Sequence, residues 1–309
     1  MLAVSALIQL RGPVEAVRVT PSVALTATAT VEPTITPTPV PAAPPVTLVG
    51  AGDIASCGST GAARTAAVLE QIPGTIFTAG DNAYDFGTAS EFETCFGPTW
   101  GRFRDRIRPA AGNHDYGTAS ASAYFEYFGG TAGERGRGYY SYDLGAWHVV
   151  VLNAECALIG GCGPSSPEVT WLRADLAASD AKCTVAIWHE PRWSSGLGHG
   201  SDPRSATFWS VLYASGAEIV VNGHDHDYER FAPQTPDGAR DDARGIREFV
   251  VGTGGRSLYP VGAPIANSEV LRNDTFGVLA LTLRSDGYDW RFIAVDGARV
   301  IDAGSDRCH

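Results

Sequence analysis

The 309-residue chain contains a single lysine, Lys182, and a single methionine. Its 23 basic residues face 34 acidic ones, for a formal charge of −11. That balance excludes a general surface for nucleic acid or for an anionic membrane, since both need a basic face. A bound metal would not register in such a count. No apolar run approaches the ~18 residues that a membrane helix needs, so no transmembrane segment is expected. No two cysteines form a C-x-x-C pair, which argues against a zinc ribbon or a thioredoxin site. No G-x-S-x-G elbow occurs, which weakens a serine-hydrolase reading. Gly252-Thr253-Gly254-Gly255 lacks the following Lys-Ser/Thr and helix of a phosphate loop, and reads as a strand turn.

Six cysteines are present: Cys57, Cys95, Cys156, Cys162, Cys183 and Cys308. An even count favours disulfides and an oxidising compartment, hence a secreted or extracytoplasmic protein. Of the 15 possible pairings, we expect Cys57–Cys95, Cys156–Cys162 and Cys183–Cys308. Six free buried thiols are the alternative. The first ten residues are apolar but lack a basic start, and read as a signal remnant or a misplaced start. Residues 19–45 are rich in Thr, Pro, Ala and Val. Proline every few residues forbids helix and ladder alike, so an extended tether is expected, possible anchorage included. Residues 1–45 are thus set apart from a folded catalytic domain at 46–309. Hydrophobic residues make up 44% of the chain, ample for a core.

From Val46 the pattern repeats. Short apolar strands end in glycine and a polar residue, and helices follow. Helices are expected at 59–71, capped by Ser59 or Thr60, in part of 92–106, at 167–178 with Ser166 as cap and Pro167 in the first turn, and at 208–214. Strands are expected at 46–53, 74–81, 183–188 and 218–221, with a hairpin of 139–143 and 147–153. After Gly245 the text is all β. A chain that begins βαβ and closes in antiparallel hairpins fits an α/β fold of two packed sheets flanked by helices.

Five strand-end segments share one grammar: G-D-I-A with Asp53, G-D-N-A-Y with Asp81 and Tyr84, G-N-H-D with Asn113 and His114, W-H-E-P with His189, and G-H-D-H with His224 and His226. In open α/β sheets, ligands bind beyond the carboxyl ends of strands. Each segment alone is a common turn. Together they assemble carboxylate, amide and imidazole, the donor set of hard-to-borderline metals. Alternate residues of an extended chain point the same way, so His224 and His226 can reach one object.

In this order the segments resemble the calcineurin-like metallophosphoesterase superfamily over about Val46 to Arg230. Tyr84 narrows the likeness to the purple acid phosphatase branch. The wider superfamily has a metal-binding histidine in its first motif, where this chain has Ala55. In the purple acid phosphatases a tyrosine replaces it, and Tyr84 stands at that place. The resemblance implies a four-layer α/β/β/α sandwich of two mixed sheets with two metals at one rim. One metal would take Asp53, Tyr84, His226 and Asp81. The other would take Asn113, His189, His224 and the same Asp81. Asp225 should point away. Phenolate favours iron(III) at the Tyr84 position, beside a divalent Fe, Zn or Mn. The implied chemistry is hydrolysis of a phosphate ester by in-line attack of a metal-activated hydroxide. A phosphodiesterase or nucleotidase on the same pair, or a tethered non-catalytic module, are the rival readings.

A leaving alkoxide needs a proton. His114 is the first candidate donor, with Asp115 placed to orient its ring. His199, in the expected flexible loop S-S-G-L-G-H-G, is the second, with an exposed loop histidine as the alternative. Arg192 and Glu190 flank His189. Both read as support for that ligand; Arg192 could also meet the substrate, with a surface ion pair the favoured alternative. His148, mid-strand among apolar residues, reads as structural.

Overall fold

The computed structural model describes residues 12–21 and 44–309. Residues 12–21 are exposed and carry no regular structure. The leader expected at 1–10, and most of the tether expected at 19–45, lie outside the described residues.

Among the described residues, regular structure starts with strand β1 (Val46–Ala51). It continues through β2 (Ala55–Ser56), helix α1 (Gly61–Leu69), β3 (Thr75–Ala79) and β4 (Ala83–Tyr84). Helix α2 (Ala89–Glu91) runs on as a π-helical turn (Phe92–Phe96), and a 3₁₀ stretch (Trp100–Arg106) enters β5 (Ile107–Ala110). Helix α3 (Ser122–Phe128) precedes the hairpin of β6 (Tyr140–Leu144) and β7 (Trp147–Val151). Helix α4 (Pro167–Ala178), β8 (Cys183–Ile187), helix α5 (Ala206–Ala214) and β9 (Ile219–Asn222) follow. The remainder is β: β10 (Tyr228–Phe231), β11 (Arg247–Val251), β12 (Ser268–Arg272), β13 (Gly277–Arg284), β14 (Gly287–Ala294) and β15 (Arg299–Arg307). Helix α1 is shorter than expected. Ser59 Oγ accepts from Gly61 N and donates to Gly255 O, which holds Ser59 outside the helix.

These strands form two mixed sheets, in the orders β15-β14-β13-β1-β3-β5 and β12-β10-β11-β9-β8-β7-β6. In the first, β1, β3 and β5 run parallel. In the second, β7, β8, β9 and β11 do. The period-two rule of strands divides the core. Val149, Val151, Val185, Ile187 and Val221 belong to one apolar cluster, while Val150, Ala186, Trp188 and Val220 belong to another with Val169 and Leu172 of α4 and Phe208 and Trp209 of α5. Aromatic pairs close the space between sheets: Trp147 meets Tyr288 at 5.7 Å, Phe249 meets Trp290 at 5.9 Å, and Tyr228 stacks on Phe292 at 4.0 Å. Helix α1 packs on the far side, against β13. This is the sandwich of two sheets between helices.

The three disulfides are Cys57–Cys95, Cys156–Cys162 and Cys183–Cys308, the pairing expected. The two-residue strands β2 and β4 pair in parallel, with Ser56 beside Tyr84. The second motif is thereby drawn across the first. All five motifs follow carboxyl ends of parallel strands: β1, β3, β5, β8 and β9.

Candidate metal centre

The strand ends turn sharply. Asp53, Asp81 and His224 sit in the left-handed region, at φ of 60°, 51° and 72°. For residues other than glycine that conformation costs about 1–3 kcal/mol each and gathers at functional sites. Close approach is secured by glycines. A Cβ on Gly223 would lie 2.6 Å from Asp53 Oδ2, and one on Gly80 would lie 2.5 Å from His189 Nδ1. Backbone donors then aim the carboxylates. His224 N donates to Asp53 Oδ2 and His114 N to Asp81 Oδ1, each at 2.8 Å.

The remaining donor atoms converge. Tyr84 Oη lies 2.7 Å from Asp53 Oδ1, 2.8 Å from Asp81 Oδ2 and 3.3 Å from His226 Nε2. His226 Nε2 is 3.2 Å from Asp53 Oδ1. His189 Nε2 is 3.2 Å from the same Asp81 Oδ2 and 3.1 Å from His224 Nδ1. Asp81 Oδ2 is therefore common to a group with Tyr84, Asp53 and His226 and a group with His189 and His224. Atoms bound about 2.1 Å from one ion at right angles stand about 3 Å apart, so these spacings suit two coordination shells sharing one oxygen. Asn113 Oδ1 is buried without a hydrogen-bond partner, as a waiting ligand atom would be. One phenol proton cannot satisfy the three groups around Tyr84 Oη. The residues present thus fit a metal pair.

The charge states of these groups are set by burial and by one another. Burial pushes the Tyr84 phenol well above its ordinary range, and Asp53 and Asp81 add to this. Burial would raise the Asp81 carboxyl too, but His189 and His114 outweigh it and hold Asp81 below the usual carboxylate range. His224 is pushed down to about 2 by burial and by the neighbouring His189 and His199. A neutral imidazole is the form that binds metal; His189, against the effect of its burial, is raised well above its ordinary range by Asp81, and an ion would have to displace that proton. His189 Nδ1 donates to Ala79 O at 2.7 Å, which fixes its tautomer and turns Nε2 inward.

His114 lies beside this cluster. Its Nδ1 donates to Asp85 O at 2.5 Å, and its Nε2 is 3.9 Å from Asp81 Oδ2. Asp115 does not orient it, contrary to expectation. Asp115 is buried and accepts from Gly112 N, Asn82 N and Asn82 Nδ2, so it joins the second and third motif loops. Its carboxyl is pushed up to about 7 by burial and by Asp81. His199 stacks on the His224 ring at 3.9 Å. Asp225 turns away from the cluster, as expected, and accepts from Ser194 Oγ, His199 N and Gly200 N.

The loop carrying His199 is not free, a second correction. Its glycines and serines suggest flexibility, but buried carboxylates grip it. Besides Asp225, Glu229 accepts from Ser195 N and Oγ, and Glu248 from Arg192 N and Trp193 N. Arg192 forms no ion pair among the described residues. It lies 4.0 Å over the Trp193 ring. Glu190 is buried behind His189, with Arg204 at 3.8 Å. Burial pushes it up to about 8, against the charge of His189. His148 is structural, held by Asp143 and Asp175 at 2.9 Å each.

Three neighbours of the cluster escaped the sequence reading. Ser257 Oγ is 2.8 Å from His226 Nδ1, Tyr259 stacks on His226 at 3.8 Å, and Arg256 lies 5.2 Å from the Tyr84 ring centre. They follow the G-T-G-G read as a turn. A glycine run beside ligand loops was the signal available, since its lack of side chains lets it nest against Gly52 and Asp53.

The profile of the Calcineurin-like phosphoesterase family matches residues 46–228. Purple acid phosphatase 15 of Arabidopsis thaliana is 29% identical over 199 residues, covering 53% of this chain and 37% of that protein. The chain thus spans little more than a third of that relative. The structure of purple acid phosphatase PPD1 from yellow lupin (Lupinus luteus) seeds superposes with a TM-score of 0.70 at 19% identity, over 84% of this chain and 53% of that one. GAP50, the anchor in the inner membrane complex of Plasmodium, shares the fold with a TM-score of 0.67 at 13% identity, over 86% and 89% of the two chains. Motif order, strand-end placement and the extent of the profile agree: the chain belongs to the calcineurin-like metallophosphoesterases and is related to their purple acid phosphatases.

Proposed function

We propose that the chain hydrolyses phosphate monoesters with a dinuclear metal centre, as a purple acid phosphatase-like enzyme. The observation that carries the reading is the Tyr84 oxygen within hydrogen-bond distance of Asp53, Asp81 and His226 with one proton to share. Asp53, Tyr84, His226 and Asp81 would hold one ion, iron(III) by the hardness of the phenolate. Asp81, Asn113, His189 and His224 would hold a divalent Fe, Zn or Mn. Two such ions supply an acidified water and neutralise charge on phosphoryl oxygens.

The protein's own groups do the rest. Asp81, whose Oδ2 lies 2.8 Å from Tyr84 Oη and 3.2 Å from His189 Nε2, would belong to both ligand sets. His114 is fixed by its Nδ1–H to the Asp85 carbonyl. Its Nε2 is the atom that would deliver a proton to the departing alcohol oxygen. His199, against His224, is the second residue positioned to meet the ester. Three disulfides support an extracytoplasmic location. Residues 46–309 would act as the catalytic domain and the Thr/Pro segment before it as a tether.

Purified full chain, assayed on a panel of mono- and diesters beside elemental analysis, tests this. Asn113→Ala is expected to lower monoester turnover by about a hundredfold or more, with unchanged circular dichroism. Wild-type turnover in that variant, or a wild-type protein that binds no metal, refutes the reading.

A further inference from the structure

The two imidazoles that face the acidic pair are held differently. His189 is oriented by a strand carbonyl, Ala79 O, an acceptor no side-chain change can remove. His226 has no such carbonyl. Its Nδ1 faces Ser257 Oγ at 2.8 Å. An imidazole that offers Nε2 to an ion must carry its proton on Nδ1, and that proton needs an acceptor. Ser257 Oγ is the group in place to accept it.

Ser257 belongs to a segment beyond residue 228, where the family profile ends. The segment is tied to the same side of the centre by five further contacts. Arg256 N donates to Asp53 O at 2.9 Å, and Tyr259 N to His226 O at 3.1 Å. The Tyr259 ring lies parallel to the His226 ring, 6° apart in plane. The Arg256 guanidinium sits over Tyr84 and pairs with Asp85 at 2.8 Å. The far side of the segment is anchored in turn: Asn273 Nδ2 donates to Tyr259 O, and Leu197 N to Pro260 O. Asp53, Tyr84 and His226 are therefore gripped from one stretch of four residues.

We propose that Ser257 is a positioning residue for His226, and that Arg256–Tyr259 is a strap fixing the Asp53–Tyr84–His226 half of the metal pair. The inference rests on the two-ion reading above. Removing the acceptor leaves the His226 ring free to turn or to change tautomer. The His189 half, held by backbone, is untouched.

The test uses the full chain, stripped by a chelator and reloaded with iron(III) and then zinc. Affinities are read by chelator competition, and the Tyr84–iron interaction by its visible absorption. Ser257→Ala is expected to lose about 10–100-fold in iron(III) affinity and to shift the absorption band, while Ser257→Thr, which keeps a hydroxyl, retains both. Zinc affinity at the second position should change far less. If Ser257→Ala fails to fold, Tyr259→Leu carries the same expectation through the lost stack. Wild-type affinity and spectrum in Ser257→Ala, or in that substitute, overturns the strap. A wild-type chain that binds no ions overturns the two-ion reading itself.

Discussion

Adding one methyl group at Gly80 perturbs a ligand without altering it. Gly80 has φ of +84°, and a Cβ there would lie 2.5 Å from His189 Nδ1, 2.6 Å from its Cγ and 2.7 Å from its Cβ. Ordinary contact begins near 3.4 Å, so the ring must retreat by about 1 Å. It has no room. His189 is fully buried, and its Nδ1 is bonded to Ala79 O, next to the new methyl. Left-handed alanine costs about 1–2 kcal/mol, and overpacking about 1–3 kcal/mol. At about 2–4 °C per kcal/mol for a domain of this size, Gly80→Ala should melt on the order of 10 °C lower. A displacement of about 1 Å also costs about a hundredfold in a positioned site. Applied to metal affinity, a hundredfold loss removes up to about 2.7 kcal/mol of the stabilisation that excess metal confers. Calorimetric melts with chelator and with zinc separate the two effects. The variant should melt lower in chelator, and zinc should raise its Tm by less than it raises the wild type's. Equal zinc-induced shifts would show that His189 is not a ligand, and equal melts in chelator that Gly80 is not its wall.

Iron-loaded protein should be coloured through the Tyr84 phenolate, and Tyr84→Phe should be colourless; a coloured variant would remove Tyr84 from the first ligand set. His148 provides a pH test remote from the metals. Hydrogen bonding to Asp175 raises its pKa above the ordinary 6.5, with Asp143 assisting and burial opposing. A raised pKa stabilises fully below 6.5 and fades as pH climbs through the raised value. Urea unfolding free energy should therefore fall with pH above 6.5 more steeply in the wild type than in His148→Gln, and parallel slopes would refute the clamp.

The parts of the molecule legible in the sequence are those whose physics is local. Short apolar runs that end in glycine or a polar residue mark β1, β3, β8 and β9. The expected pair Cys183–Cys308, 125 residues apart, is a disulfide in the structure. What escaped depends on contacts between distant segments. Adjacency in the sequence makes Asp115 a neighbour of His114. In space its carboxylate meets Asn82, 33 residues away. Ser257 and Tyr259 lie 31 and 33 positions beyond His226, in a stretch without a motif. The His199 loop shows the same limit. Serine and glycine describe its backbone freedom, and say nothing of the acids beneath it.

Those acids have a consequence for how a substrate is met. Seven amide or hydroxyl groups between Arg192 and Gly200 end on Asp225, Glu229 and Glu248. A stretch so suspended is tied down at both ends, at 192–195 and at 199–200. If an ester docks as proposed, little of this backbone would be left to order, and the entropic cost that a closing flap incurs would be small on this flank. The amides of Arg192, Trp193, Ser195, His199 and Gly200, which end on these acids, should exchange with deuterium more slowly than those of an open loop, although the letters spell a hinge.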